Sequence, residues 1–255
     1  MEAKSNFSFT YFDTIIRFIP GVFALLTAIM VFPNAFHSSL FGFITTKPVG
    51  FALGVILAYI IGIVIQCIST SVYFMKVLNW RCEPDKLFLE SLMKEKKIKI
   101  CLFQHHSLKL SKEEAFRYSS EIAKYFGIKP PIETIEEYDK LELVIKLSWT
   151  LVHLKDLGFA QREQTFYLMA RSLFVVYFVF FILIFLLFII QVLSWFGLDI
   201  TLIEDLSYDL NITSFIIITF LMIIFACRAK LQYLLAKMDS FKTAGMYALL
   251  ENKNT

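Results

Sequence analysis

The sequence predicts an all-α membrane protein: four transmembrane helices in two pairs, with a mostly helical cytoplasmic domain between the second and third spans. Three observations carry this. Four apolar runs divide the chain, at roughly 15–36, 49–75, 172–196 and 212–227, and each approaches the ~20 apolar residues a helix needs to cross a ~30 Å hydrocarbon core. Apolar residues make up 57% of the chain, which is high for a soluble domain. Basic residues are unevenly placed: the segment Lys76–Arg171 holds 17 of the 25. The connector 33–48 holds only Lys47, and the connector 197–211 holds none but carries Asp199, Glu204, Asp205 and Asp209. Lysine and arginine accumulate on the cytoplasmic side of a membrane, so the middle segment and both termini are expected inside. Spans this short in sequence satisfy their backbone in lipid only as helices.

The first apolar run is expected to stay as a span rather than be cleaved as a signal peptide, because Glu2 and Asp13 dilute its positive flank. Asp13 and Arg17 stand four apart with the acid first, the favourable order for a helical ion pair. At the inner interface Arg17 can extend its charge toward water. Pro20 lacks an N–H, so a kink or a helix start is expected there. Asp13, Arg17, Pro20 and Gly21 therefore form a candidate interface or hinge, either a turn that sets helix tilt or a gating joint. In the second span Gly50, Gly54, Ala58 and Gly62 recur every four residues, and Gln66 and Thr70 continue that face. Such spacing lets two helix backbones approach closely. The partner helix is either the first span or a second copy of the chain.

Four segments are expected: a membrane pair over 1–75, a cytoplasmic helical domain over 76–171, a second membrane pair over 172–227 and a tail helix over 228–255. Within the cytoplasmic domain, Pro84-Asp85 can start a helix that runs to Lys97. The stretch from Lys97 to Phe103 partly alternates and reads as a short strand or a loop. Ser111-Lys-Glu-Glu114 is a capping box. Its helix should end near Phe126, where Gly127 suits a left-handed cap and Pro130-Pro131 cannot continue. Thr134 can cap a third helix with Leu141, Val144, Ile145, Ser148, Leu151 and Val152 at spacings of three and four. Gly158 interrupts it, and 161–171 reads as a juxtamembrane helix feeding the third span, with Arg162 and Arg171 at headgroup height. The third and fourth spans are rich in Phe, Ile, Leu and Val and hold no glycine. After the fourth, Arg228, Lys230, Leu231, Leu234, Leu235 and Met238 continue a helix whose apolar side should pack on the middle domain.

The search for chemistry excludes more than it finds. A net charge of +3 is too small for a nucleic-acid binder, and the 17 basic residues of the middle segment are accompanied by 14 acidic ones. Cys67, Cys82, Cys101 and Cys227 lie outside the expected outer connectors, so free thiols are expected. Phosphate-loop and His-Glu-x-x-His patterns are absent. Cys101, His105 and His106 lack the paired spacing of a zinc site and are expected as solvated loop residues, while His37 and His153 are isolated. No catalytic, cofactor-binding or metal site is assigned and no cofactor is expected, so the chain is expected not to be an enzyme. Ionisable groups inside spans mark transport routes; apart from Arg17 at an edge the spans have essentially none, and a pore would have to be assembled from several copies.

The opening Phe12-Asp13…Arg17…Ile19-Pro20-Gly21, with Arg171 before the third span and the basic, aromatic stretch Arg228–Tyr233 after the fourth, resembles a loose group of uncharacterised bacterial four-helix inner-membrane proteins. Some of these are associated with antiviral defence. The resemblance implies a multi-pass protein of the bacterial inner membrane, and an effector role in which the membrane is permeabilised. Two principal readings follow. One is an oligomeric effector, a homo-oligomer whose cytoplasmic domain receives a soluble protein or small-molecule signal. The other is a membrane anchor or scaffold that recruits a soluble partner, with inert spans. A third, a membrane enzyme, would need a polar cluster at membrane depth. The lipid bilayer is the one partner common to all three.

Overall fold

A computed structural model of the chain describes residues 11–32, 48–71, 98–101, 104–106, 111–129, 138–155, 157–195 and 212–254. These form six helices and one small hairpin: α1 (Tyr11–Val31), α2 (Pro48–Thr70), β1 (Ile98–Cys101), β2 (Gln104–His106), α3 (Lys112–Tyr125), α4 (Tyr138–Leu154), α5 (Gly158–Trp195) and α6 (Ile212–Asn254). Four of the helices are long and apolar enough to cross a membrane. At ~1.5 Å per residue, the 21 residues of α1 and 23 of α2 reach about 32 and 35 Å. The 38 residues of α5 and 43 of α6 exceed a ~30 Å core by far. The expected helix over 84–97, the Thr134 cap, His37 and both outer connectors lie outside the described residues.

The chain divides into two compact units, Met1–Met75 with Leu168–Ala226, and Lys76–Tyr167 with Cys227–Thr255. In the first, α1 and α2 pack against each other. The apolar parts of α5 and α6 meet through aromatic rings, Tyr177 stacked on Phe225 at 5.3 Å and Phe181 on Phe215 at 5.4 Å. Residue numbers rise on one helix as they fall on the other, so the two run antiparallel. Val31 of α1 joins Ile184 and Ile218 in one buried cluster. Polar side chains in these helices bond their own backbone: Thr27 donates to Phe23 O, Ser69 to Gln66 O and Thr219 to Phe215 O, the usual solution where water is absent.

In the second unit, α3, α4 and the C-terminal half of α6 share a core. Ile122, Val144, Leu151, Val152, Leu234 and Phe241 are fully buried in it. The apolar side expected after the fourth span is thus core rather than surface. Gly245 lets α6 approach α3 closely, since a Cβ there would come within 2.5 Å of Tyr118 Cβ. The start of α5 joins through Gln164, whose Nε2 donates to Ser240 Oγ at 3.1 Å, and through Tyr167 against Tyr233 at 5.0 Å. The capping box is formed as expected: Glu114 N–H donates to Ser111 Oγ, and Ser111 N–H donates to Glu114 Oε2. The helix ends at Tyr125, and Gly127 takes φ +66°.

The structure decides two open alternatives and corrects two expectations. The stretch after Lys97 is a strand of an antiparallel hairpin, pairing Ile98 with His106 and Lys99 with His105, so His105 and His106, expected in a loop, lie on β2. Alternation too short to decide between strand and loop is settled by the partner strand. Pro20 does not start a helix; it lies inside α1, because the preceding turn is held by packing against α2. Cys67 is a free thiol, but Cys227 is disulfide-bonded. The free-thiol expectation came from the compartment, which says nothing about which sulfurs a fold brings together.

Candidate functional site

The residues singled out in the first two spans meet at the α1–α2 contact. On α2, Gly50, Ala58, Gly62, Ile65 and Ser69 are buried and Gly54 is half-buried, so the small-residue stripe is the covered face. The opposite face is exposed and apolar, with Phe51, Val55, Ile56, Ile60 and Val64. On α1, Pro20, Gly21 and Ala24 are among the buried residues. Gly21 faces Ala58 and Gly62, while Gly62 faces Arg17, which makes the pair antiparallel.

The backbones touch at two reciprocal points. A Cβ on Gly21 would overlap the carbonyl oxygen of Ala58 and lie 2.6 Å from its carbon. A Cβ on Gly62 would overlap the carbonyl oxygen of Arg17 and lie 2.6 Å from that carbon. Each glycine therefore turns a Cα–H toward a carbonyl of the other helix, a weak contact of about 0.5–1 kcal/mol. Its larger effect is to bring the helices close enough for dispersion along the whole face.

At this same contact the Arg17 side chain spans the pair. Its Nε donates to Gln66 Oε1 at 3.2 Å and its Nη1 donates to Tyr59 OH at 3.2 Å. Arg17, Tyr59 and Gln66 are each half-buried. A guanidinium, a phenol and an amide can clamp two helices or hold an anion; the set contains no nucleophile with an adjacent base. The side chain of Asp13 lies outside the described residues. Gln66 was expected on the packing face, but Tyr59 was not foreseen. Its signal was present all the same: 59 and 66 are seven apart, two helical turns, and so share a face.

Among the described residues, no group of three or more His, Cys, Asp or Glu side chains gathers as a metal site would require. Outside the spans, Glu121 is the clearest perturbed group. The Asn252 amide donates to its carboxylate at 2.9 Å and Lys124 at 3.0 Å, and these bonds hold its pKa below the ordinary carboxylate value. Lys155 lies over the Tyr247 ring at 5.5 Å. Lys237, buried, lies between the rings of Trp149 and Tyr233 at 5.0 and 5.4 Å.

Fold and site together define a class: a helical chain with four candidate membrane spans, consistent with a multi-pass membrane protein. Comparison with protein-family models, curated proteins and solved structures returns no match.

Proposed function

We propose that this is a multi-pass protein of the bacterial inner membrane, with its termini and second unit in the cytoplasm, acting as an oligomeric membrane-permeabilising effector of the antiviral-defence type. The observation that carries this reading is the continuity of α5 and α6. Each contributes residues to both compact units without a described break. A ligand that favours one arrangement of the core around Phe241 can therefore bias the apolar segments of the same two helices. Coupling of this kind requires two arrangements of a rigid element that both sites influence. Several copies would supply the conducting path, with the exposed apolar face of α2 turned to lipid or to a neighbouring copy.

One observation favours the anchor or scaffold instead. The small-residue stripe of α2 is engaged within the chain, by Gly21 and Arg17, so it no longer argues for a subunit interface. Expression in bacteria with a membrane-potential dye separates the two readings. The effector should depolarise cells, and substitution of Gly62 by leucine should abolish this. A chain that reaches the membrane and leaves the potential unchanged, while co-purifying with a soluble partner, would establish the scaffold.

A further inference from the structure

We propose that the Cys227 disulfide is a reversible modification, formed when hydrogen peroxide oxidises the thiols and broken by a dithiol reductant, and that it restrains α6 while formed. It rests on the proposed cytoplasmic placement of the second unit. Three observations combine. Cys227 is disulfide-bonded, whereas Cys67 is a free, exposed thiol. Cys227 is the residue at which α6 passes from the first unit to the second. Arg228 and Lys230 follow it, and basic residues after a span mark its cytoplasmic end. The cytosol keeps thiols reduced, so a disulfide in that compartment is as a rule transient, and catalytic or redox-sensing. Cys227 is half-buried, which leaves its sulfur within reach of a reagent, as a responsive cysteine requires.

Peroxide is the oxidant the position favours. The sulfur stands where an apolar run ends, and a small uncharged molecule reaches it from water or lipid alike. One thiolate attacks a peroxide oxygen; the O–O bond breaks, leaving a sulfenic acid and a hydroxide that takes up a proton as water. The second thiolate attacks the sulfenic sulfur, the S–S bond forms, and the S–O bond breaks to release a second water. Two electrons thus pass from the two sulfurs to peroxide. Reduction returns two electrons and two protons by exchange with a dithiol, which leaves as its own disulfide. No other cysteine stands closer to Cys227 in sequence than Cys101, and a cross-link closing so long a loop restrains a chain more than one closing a short loop.

The test follows the full chain in bacteria. Thiols are blocked with N-ethylmaleimide after an acid quench, disulfides are then reduced and tagged with a maleimide polymer, and peptide mass spectrometry reads Cys227. It should be reduced in growing cells, oxidised soon after millimolar hydrogen peroxide is added, and reduced again after its removal. Cys227→Ser should abolish the peroxide-dependent tag, and Cys67→Ser should leave it. A Cys227 thiol that stays reduced under peroxide would overturn the switch and leave the cytoplasmic placement standing. A disulfide present before peroxide, and opened in spheroplasts by a membrane-impermeant phosphine, would overturn both. One present before peroxide but closed to that phosphine would be a permanent cytoplasmic cross-link, which overturns the switch alone. On the purified chain in mixed micelles, trypsin should cut after Arg228 about tenfold more slowly in the oxidised than in the reduced wild type. Equal rates would overturn the restraint of α6. That comparison needs no substitution, so it stands even where Cys227→Ser fails to fold.

Discussion

Gly62→Ala sets two known effects of opposite sign against each other. In an exposed helix, glycine to alanine stabilises by about 1 kcal/mol, because alanine restricts the unfolded chain and favours helix. At Gly62 the added methyl would overlap the backbone carbonyl of Arg17, and a backbone carbonyl cannot rotate away as a side-chain tip can. The helices must separate by more than an ångström at this point. Gaps of ~0.5–1 Å already forfeit a quarter to a half of each dispersion contact, and overpacking of this kind costs about 1–3 kcal/mol. Separation also stretches the bonds from Arg17 to Gln66 and Tyr59, worth about 0.6 kcal/mol each in a membrane setting. The net expectation is destabilisation of about 1–3 kcal/mol. Equilibrium unfolding of the purified chain in mixed micelles measures it, with Ile60→Ala on the exposed face of α2 as the control near zero. A Gly62→Ala chain as stable as the wild type or more so would refute the close contact, since only the helix-propensity effect would then remain.

Two further outcomes concern the second unit. Phe241→Ala removes a fully buried ring that meets Tyr118 edge-on at 6.3 Å; it should cost about 3–5 kcal/mol and expose α3 and α4 to limited proteolysis. Glu121 ionises more readily folded than unfolded, through Asn252 first and then Lys124. Its contribution to stability is therefore present above the ordinary value of 4.5 and is lost as pH falls through the lower folded value. Asn252→Ala should remove part of that acid dependence in a denaturation series across this range, whereas an unchanged pH profile would show that the bond does not persist in solution.

Much of the local structure was legible in the sequence. Ser111 and Glu114 at cap spacing, followed by Gly127 and Pro130-Pro131, define both ends of α3 because capping is decided within a few residues. The glycine stripe of α2 was legible for the same reason: spacing alone puts Gly50, Gly54, Ala58 and Gly62 on one face. Gly21 was read as part of a hinge, yet it is the matching small residue on α1. A single glycine beside a proline carries no periodicity, and only the partner helix reveals why it must lack a side chain. The Cys227 disulfide depends likewise on groups far apart in sequence.

Hydropathy located the four apolar runs, but α5 and α6 extend beyond them, as expected from the juxtamembrane helix over 161–171 and the helical continuation after the fourth span. Its signal follows the solvent, rising where Phe and Ile begin and falling where Arg228 and Lys230 appear, whereas helical hydrogen bonding is indifferent to that change. Nothing between Gln161 and Trp195, or between Ile212 and Asn254, forces a helix to stop: neither stretch holds proline, and the one glycine, Gly245, is where α6 approaches Tyr118. A helix ends when capping residues or chain breakers end it, and here they are missing at the hydropathy boundaries. The same reasoning explains Pro20. Proline removes one hydrogen bond, but residues on both sides of it, Ile16 and Gly21, are buried, and that packing holds the helix through the defect. Element boundaries in this chain are thus set by backbone bonding and by what each face covers, and apolar length alone marks only the part of a helix suited to lipid.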